Sequence, residues 1–144
     1  MKKLFLMALV AVCCGLTACA HDQIIPYAQL PAAAQQVVRT HFDEANVAYV
    51  TLDREVFGKE YDVRLNDGTE IKFESDGSVK KVDCQFQAVP EALIPPVVLQ
   101  QVKAQFPNAF IVEWGKDDWG WKAELNNQLE LKFNSKFNMI GVDD

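Results

Sequence analysis

The sequence predicts an α+β fold, a single eight-stranded antiparallel sheet carrying two helices on one face. Three observations predict it. The second half of the chain repeats the first, each half opens with apolar residues at helical spacing, and each continues in segments that alternate apolar and charged residues. Tyr61 to Asp83 lies over Trp121 to Asp143 without a gap. Leu65, Asn66, Glu70, Lys72, Phe73, Ser75, Val82 and Asp83 recur as Leu125, Asn126, Glu130, Lys132, Phe133, Ser135, Val142 and Asp143. Upstream, the Pro26 to Pro31 stretch matches Pro90 to Pro95, and Val38 and Phe42 match Val102 and Phe106. One supersecondary unit is used twice.

Each unit begins with proline and a helix. Pro31 and the Pro95-Pro96 pair suit a first helical turn, where the missing N–H has no partner to lose. Ala34, Val38 and Phe42 recur at four-residue spacing, as do Val98, Val102 and Phe106, giving each helix one apolar stripe. These helices must cover something.

What they cover is sheet. Ala48, Val50 and Leu52, and in the second copy Phe110, Val112 and Trp114, supply the first strands. Tyr61, Val63 and Leu65 alternate with Asp62 and Arg64, and Trp119, Trp121, Ala123 and Leu125 alternate with Gly120, Lys122 and Glu124. Ile71 and Phe73 alternate with Glu70, Lys72 and Glu74, and Leu129, Leu131 and Phe133 with Glu130, Lys132 and Asn134. A period of two with one charged face marks antiparallel strands wet on one side. Asn66-Asp67-Gly68 and Asp76-Gly77 are tight-turn signals, because these residues tolerate a positive φ. The second copy has Gln128 for Gly68 and Phe137 for Gly77, so looser hairpins are expected there.

Met1-Lys2-Lys3 followed by the apolar run Leu4 to Val12 reads as an export signal, too short to span a bilayer. Leu16-Thr17-Ala18-Cys19 resembles a lipobox, which would make Cys19 the lipidated first residue of an envelope lipoprotein. Ala18-Cys19-Ala20 is also an acceptable small-x-small site, releasing a soluble protein from His21. With the lipobox preferred, the expected division is 1–18 signal peptide, 19–28 lipidated tether, 29–84 first repeat and 85–144 second repeat. A lone repeat would bury too little surface, so the two should share one core. After processing at Cys19 only Cys84 remains beside it, and one such thiol cannot form an intramolecular disulfide.

Removal of Lys2 and Lys3 leaves 12 basic against 20 acidic residues, a net charge of −8. So acidic an exported domain is a poor ligand for a phosphate backbone, and nucleic acid is not an expected partner. Support for catalysis is thin. His41 sits on the first helix beside Phe42, and the second copy has Gln105 there. No nucleophile elbow, zinc-protease helix or phosphate-cradling loop occurs, and Asp117-Asp118 lacks the ligand spacing of a calcium loop. The sequence points to no enzyme, no cofactor and no metal site.

In this order the residues resemble the PepSY-like family, also described as β-lactamase-inhibitor-like, common as small exported proteins of Bacteroidetes. The carriers are Leu30-Pro31, the helix ending at Phe42, Tyr61-Asp62-Val63-Arg64-Leu65, Asn66-Asp67-Gly68, Glu70-Ile71-Lys72-Phe73 and Asp76-Gly77. The resemblance implies the same tandem helix-plus-meander fold. It brings no catalytic residues.

The expected role is a non-enzymatic envelope binding module that contacts another protein, possible enzyme inhibition being suggested by the resemblance alone. The alternative is a periplasmic sensor or carrier of a small ligand or ion. The candidate surface is the polar sheet face with Asp62, Arg64, Glu70, Lys72, Lys122, Glu124, Glu130 and Lys132. Tyr49 and Ile111 would join it from the first strands, and Phe57 and Phe137 from turns. Against this stands a simpler reading, in which the charges are cross-strand ion pairs that keep one face soluble. By the same habit, Trp119 and Trp121 are expected in the core.

Overall fold

The computed structural model describes residues 22–144. The expected signal peptide (1–18) and the expected lipidation site Cys19 lie outside the described residues. The order of elements is β1 (Gln23–Ile25), α1 (Ala32–His41), β2 (Val47–Glu55), β3 (Gly58–Leu65), β4 (Glu70–Phe73), β5 (Val79–Asp83), α2 (Pro96–Gln105), β6 (Ile111–Asp117), β7 (Gly120–Leu125), β8 (Glu130–Phe133) and β9 (Met139–Asp143). Every strand pairs antiparallel with the next, so the sheet runs β1 to β9 in sequence order. It has nine strands rather than eight. The extra one is β1, whose Gln23, Ile24 and Ile25 pair with Leu52, Thr51 and Val50. Part of the expected tether is thereby pinned to the body, because Ile25 and Leu30 find buried apolar partners.

Both helices stop at phenylalanine. The amide of Phe42 donates to the Val38 carbonyl at 3.0 Å and that of Phe106 to the Val102 carbonyl at 2.7 Å, and each ring packs against the core. Ten-residue helices are marginal by themselves, so tertiary packing holds them. Their stripes (Ala34 and Val38, Val98 and Val102) are buried over Ile71, Phe73, Val82, Leu125, Leu131 and Phe133 of the shared core. Burying a ring such as Phe73 or Phe133 contributes about 2–3 kcal/mol.

The register reveals how the copies differ. Val50 pairs with Val63, and the corresponding pair in the second copy is Trp114 with Ala123. One large and one small side chain replace two of middling size. Trp114 therefore stands where Val50 does, not Leu52, and Lys116 is the counterpart of Leu52. Trp114 stacks on Trp121 with ring centres 5.1 Å apart and meets Phe133 edge-on at 5.7 Å. Beyond Leu52 and Tyr61, the β2–β3 hairpin continues for two more residues on each strand than the β6–β7 hairpin does beyond Lys116 and Trp121. At 3.4 Å per residue its tip projects about 7 Å further.

The second-copy turns are as tight as the first. Gly68 donates to the Leu65 carbonyl at 3.1 Å and Gln128 to that of Leu125 at 2.9 Å. Gly77 and Phe137 donate to Glu74 and Asn134, each at 2.9 Å. Gln128 and Phe137 simply adopt the left-handed conformation, with φ of 70° and 62°. Glycine at 77 has a further reason: a Cβ there would lie 2.9 Å from Pro31 Cβ and 3.0 Å from the Ala34 nitrogen.

Candidate functional site

The polar face is an internally neutralised lattice. Arg64 contacts Glu70 at 2.7 Å, and Lys72 lies 3.4 Å from Glu70 and 3.7 Å from Glu60, which also holds Lys80. Lys81 of β5 reaches Glu113 of β6 at 3.3 Å and so ties the two copies together. Lys122 lies 3.7 Å from Glu113 and 3.3 Å from Glu130, and Lys132 2.5 Å from Asp143. Each of the four candidate cations, Arg64, Lys72, Lys122 and Lys132, is thus occupied within the sheet. Partly exposed pairs of this kind contribute about 0.2–1 kcal/mol each.

Asp62 is the member under tension. Its Oδ1 and the Nε of Arg64 are buried without a hydrogen-bond partner among the described residues. Burial, with the Glu70 carboxylate adding to it, pushes the Asp62 carboxyl from its ordinary 3.8 up to about 6. Burial also opposes the charge on Glu70, but Asp62, Arg64 and Lys72 outweigh it and hold Glu70 below the usual range. Lys72 is raised, since the attraction of Glu70, Asp62 and Glu60 exceeds the cost of its burial.

Two expected contributors leave this surface. Ile111 is 4 % exposed and belongs to the core, because a β-bulge between Ile111 and Glu113 turns it inward. Phe137 folds back onto Trp121 and Trp114, at ring-centre distances of 5.7 and 6.3 Å, instead of pointing outward. Gln101 of α2 fastens its turn by donating to the Phe137 carbonyl at 2.7 Å and accepting from the Met139 amide at 2.9 Å. Tyr49 remains exposed at the edge, beside Ile24 and Tyr27. Cys84 is buried, and burial pushes its thiol up to about 11, which makes it a poor nucleophile.

The most exposed aromatic rings stand at the two ends of the sheet. One end carries the β2–β3 and β6–β7 tips. Phe57 is 100 % exposed and Trp119 85 %, so Trp119 is not a core residue. They occupy the same place in equivalent two-residue turns, each followed by a glycine with φ near 150° (152° at Gly58, 155° at Gly120). Substitution at Gly120 has no room, since a Cβ would come within 2.2 Å of the Phe133 carbonyl oxygen.

The opposite end holds a cleft of about 450 Å³ between the connection after β5 and the β6–β7–β8 end. Phe86, 89 % exposed, and Phe110, 42 % exposed, form its apolar wall, with Val112 at its base. Glu124 and Asn126 form its polar side. Glu124 pairs in the sheet with Glu113 and Glu130, both already engaged by Lys122, and makes no ion pair of its own among the described residues. Sequence reading missed this end. The available signal was the change from Asn46 to Phe110: Asn66 donates to the carbonyl of the first and Asn126 to that of the second, so the two are equivalent. Among the described residues no three His, Cys, Asp or Glu side chains converge as a metal site.

A family described as "Putative beta-lactamase-inhibitor-like, PepSY-like" matches residues 16–58 and 59–141. The chain belongs to the PepSY-like family. The two matched segments meet inside the β2–β3 hairpin. Solved structures of similar proteins have the same fold. One, from Bacteroides thetaiotaomicron, is described as a "putative calcium-regulated periplasmic protein"; it is 32% identical, with a TM-score of 0.79 over 85% of this chain and 97% of its own. A second, from Bacteroides vulgatus, is described as a "putative periplasmic protein" of the DUF2874 family; it is 32% identical, with a TM-score of 0.82 over 88% and 99%. A third, described as a "putative periplasmic protein of unknown function" from Bacteroides vulgatus, is 29% identical, with a TM-score of 0.79 over 86% and 100%. No curated protein matches the chain.

Proposed function

We propose that this PepSY-like protein is a non-enzymatic envelope module, exported to the periplasm and anchored through Cys19, that holds another envelope protein in the Phe86–Phe110 cleft. One observation carries the reading: Phe86 stands 89 % exposed beside Phe110, over a cleft whose one acidic wall residue on the sheet, Glu124, has no ion-pair partner among the described residues. A large ring so exposed gains stability only when something covers it. The chemistry fits a protein segment that seats an apolar side chain between the two rings and offers a cation to Glu124. Inhibition of a periplasmic enzyme is one form such binding could take, in keeping with the family's description. The periplasmic descriptions of the relatives support the location.

The sheet face is the weaker surface. A partner there would have to break cross-strand pairs that already satisfy one another.

The test is a photoreactive amino acid at position 86, activated in cells, with the same group at Tyr49 as comparison. Position 86 should give one discrete protein adduct that Phe110→Ser and Glu124→Lys abolish and that Lys72→Glu leaves intact. No adduct at 86, or one indifferent to Phe110→Ser, would sink the cleft reading. Loss with Lys72→Glu alone would return the site to the sheet face.

A further inference from the structure

We infer that the hairpin end of the sheet, with Val56-Phe57 in front and Trp119 behind, is a membrane-contacting surface whose occupant is the phospholipid bilayer. The inference rests on the anchored reading above and gives it an orientation. Val56 is 93 % exposed and Phe57 100 %, the two central residues of the turn that projects furthest from the body. They pack on nothing. A turn needs neither side chain for its geometry, since Gly58 supplies the unusual φ.

The first supporting observation is where the chain enters the fold. Gln23 of β1 pairs with Leu52, near the hairpin end of β2. Gln23 follows Cys19 by four positions, a reach of at most about 14 Å. From Leu52 the strand climbs four residues to Val56, about 13 Å. A lipid on Cys19 and the apolar tip can therefore meet one bilayer at the same depth. The two-residue lengthening of each strand in this hairpin is what brings the tip that far.

The second is charge. Arg54 and Lys59 face each other directly across the β2–β3 ladder, just below the tip. Both are exposed, and neither makes an ion pair among the described residues. Like charges directly opposite repel, and a bound anion would reverse the sign of that contact. Lipid phosphates lie at the matching depth below an inserted apolar turn. Trp119 sits on the β6–β7 tip at the same end, beyond the β4–β5 turn and four strands away, roughly 19 Å across the sheet, and its amphipathic ring suits the headgroup layer. Asp117 and Asp118 immediately precede it, so this second tip would rest at the surface while the first inserts. A lipid on Cys19 would hold the chain at the bilayer, and contact by the tip would fix how the body is turned. The same orientation turns the Phe86–Phe110 cleft away from the membrane, toward the periplasmic space.

The experiment uses the full, lipidated protein carrying Phe57→Trp, reconstituted into vesicles of phosphatidylethanolamine and phosphatidylglycerol with brominated acyl chains. Emission from position 57 should fall about twofold or more relative to unbrominated vesicles, and Arg54→Glu with Lys59→Glu should relieve it. In parallel, Cys19→Ser protein should float weakly with the same vesicles, and Val56→Ser with Phe57→Ser should reduce that fraction about tenfold. No bromine quenching above the wild-type tryptophan background overturns the proposal. So does a tip variant that changes only the oligomeric state in sedimentation, which would make a second copy the occupant. Failure of the anchor reading is separately visible: Cys19→Ser would then leave the cellular membrane fraction unchanged, whatever position 57 reports.

Discussion

Replacing Phe137 separates two effects that act in opposite directions at one residue. The ring is half-buried against Trp114 and Trp121, and the backbone is held at φ 62°. A fully buried Phe→Ala change costs about 3–5 kcal/mol, so a half-buried ring accounts for about 2 kcal/mol. The left-handed conformation costs any residue with a Cβ about 1 kcal/mol, and glycine escapes this. Phe137→Ala keeps the strain and loses the ring, so it should destabilise by about 2 kcal/mol. Phe137→Gly loses slightly more side chain but sheds the strain, so it should destabilise by only about 1 kcal/mol. The smaller residue is the better tolerated one. Urea unfolding of the mature protein, followed by tryptophan emission, measures both if the m-value is unchanged. Alanine equal to or better than glycine would refute the account of the turn, and wild-type stability in both would refute the packing.

Two further outcomes are expected. Asp62→Asn should stabilise the protein at pH 8 and not at pH 4: a carboxyl whose folded value is raised from 3.8 to about 6 favours the folded state below 3.8 and loses that contribution as pH rises through 6. Undiscounted, a rise of about two would correspond to roughly 3 kcal/mol, which solvent screening at this partly exposed site reduces to about 1 kcal/mol; equal stability of the two proteins across the pH range would show that Asp62 is not strained. Gln101→Ala should cost about 1–2 kcal/mol through the lost bonds to Phe137 and Met139, seen as faster amide exchange in the β8–β9 turn; unchanged exchange there would count against the fastening role.

The tandem helix-plus-meander was legible because its causes are local or periodic. Apolar residues at four-residue spacing bring Ala34 and Val38 to one helix face, and alternation sends Val63, Ile71 and Phe73 to one side of the sheet. The first strand of each copy was legible too, but not the facing of its early residues: a bulge there shifts the alternation by one residue, and that shift carried Ile111 into the core. Trp119 was misread for a related reason. It continues the pattern of Trp121 and Ala123, but the chain has already turned, and beyond the last paired residue the period no longer decides which way a side chain faces.

By itself the sequence determined the repeat, the family, the antiparallel order and the neutral pairing of opposite charges on one face. Those follow from neighbours along the chain and from a period of two. Tertiary structure alone decided which aromatic rings are sheltered. Phe137 is covered because α2 and two tryptophans close over its turn, while Phe57, Phe86 and Trp119, no less apolar, stand where no other element reaches. Burial depends on what arrives from elsewhere in the fold, and only the assembled sheet, with its two bare ends, reveals where nothing arrives.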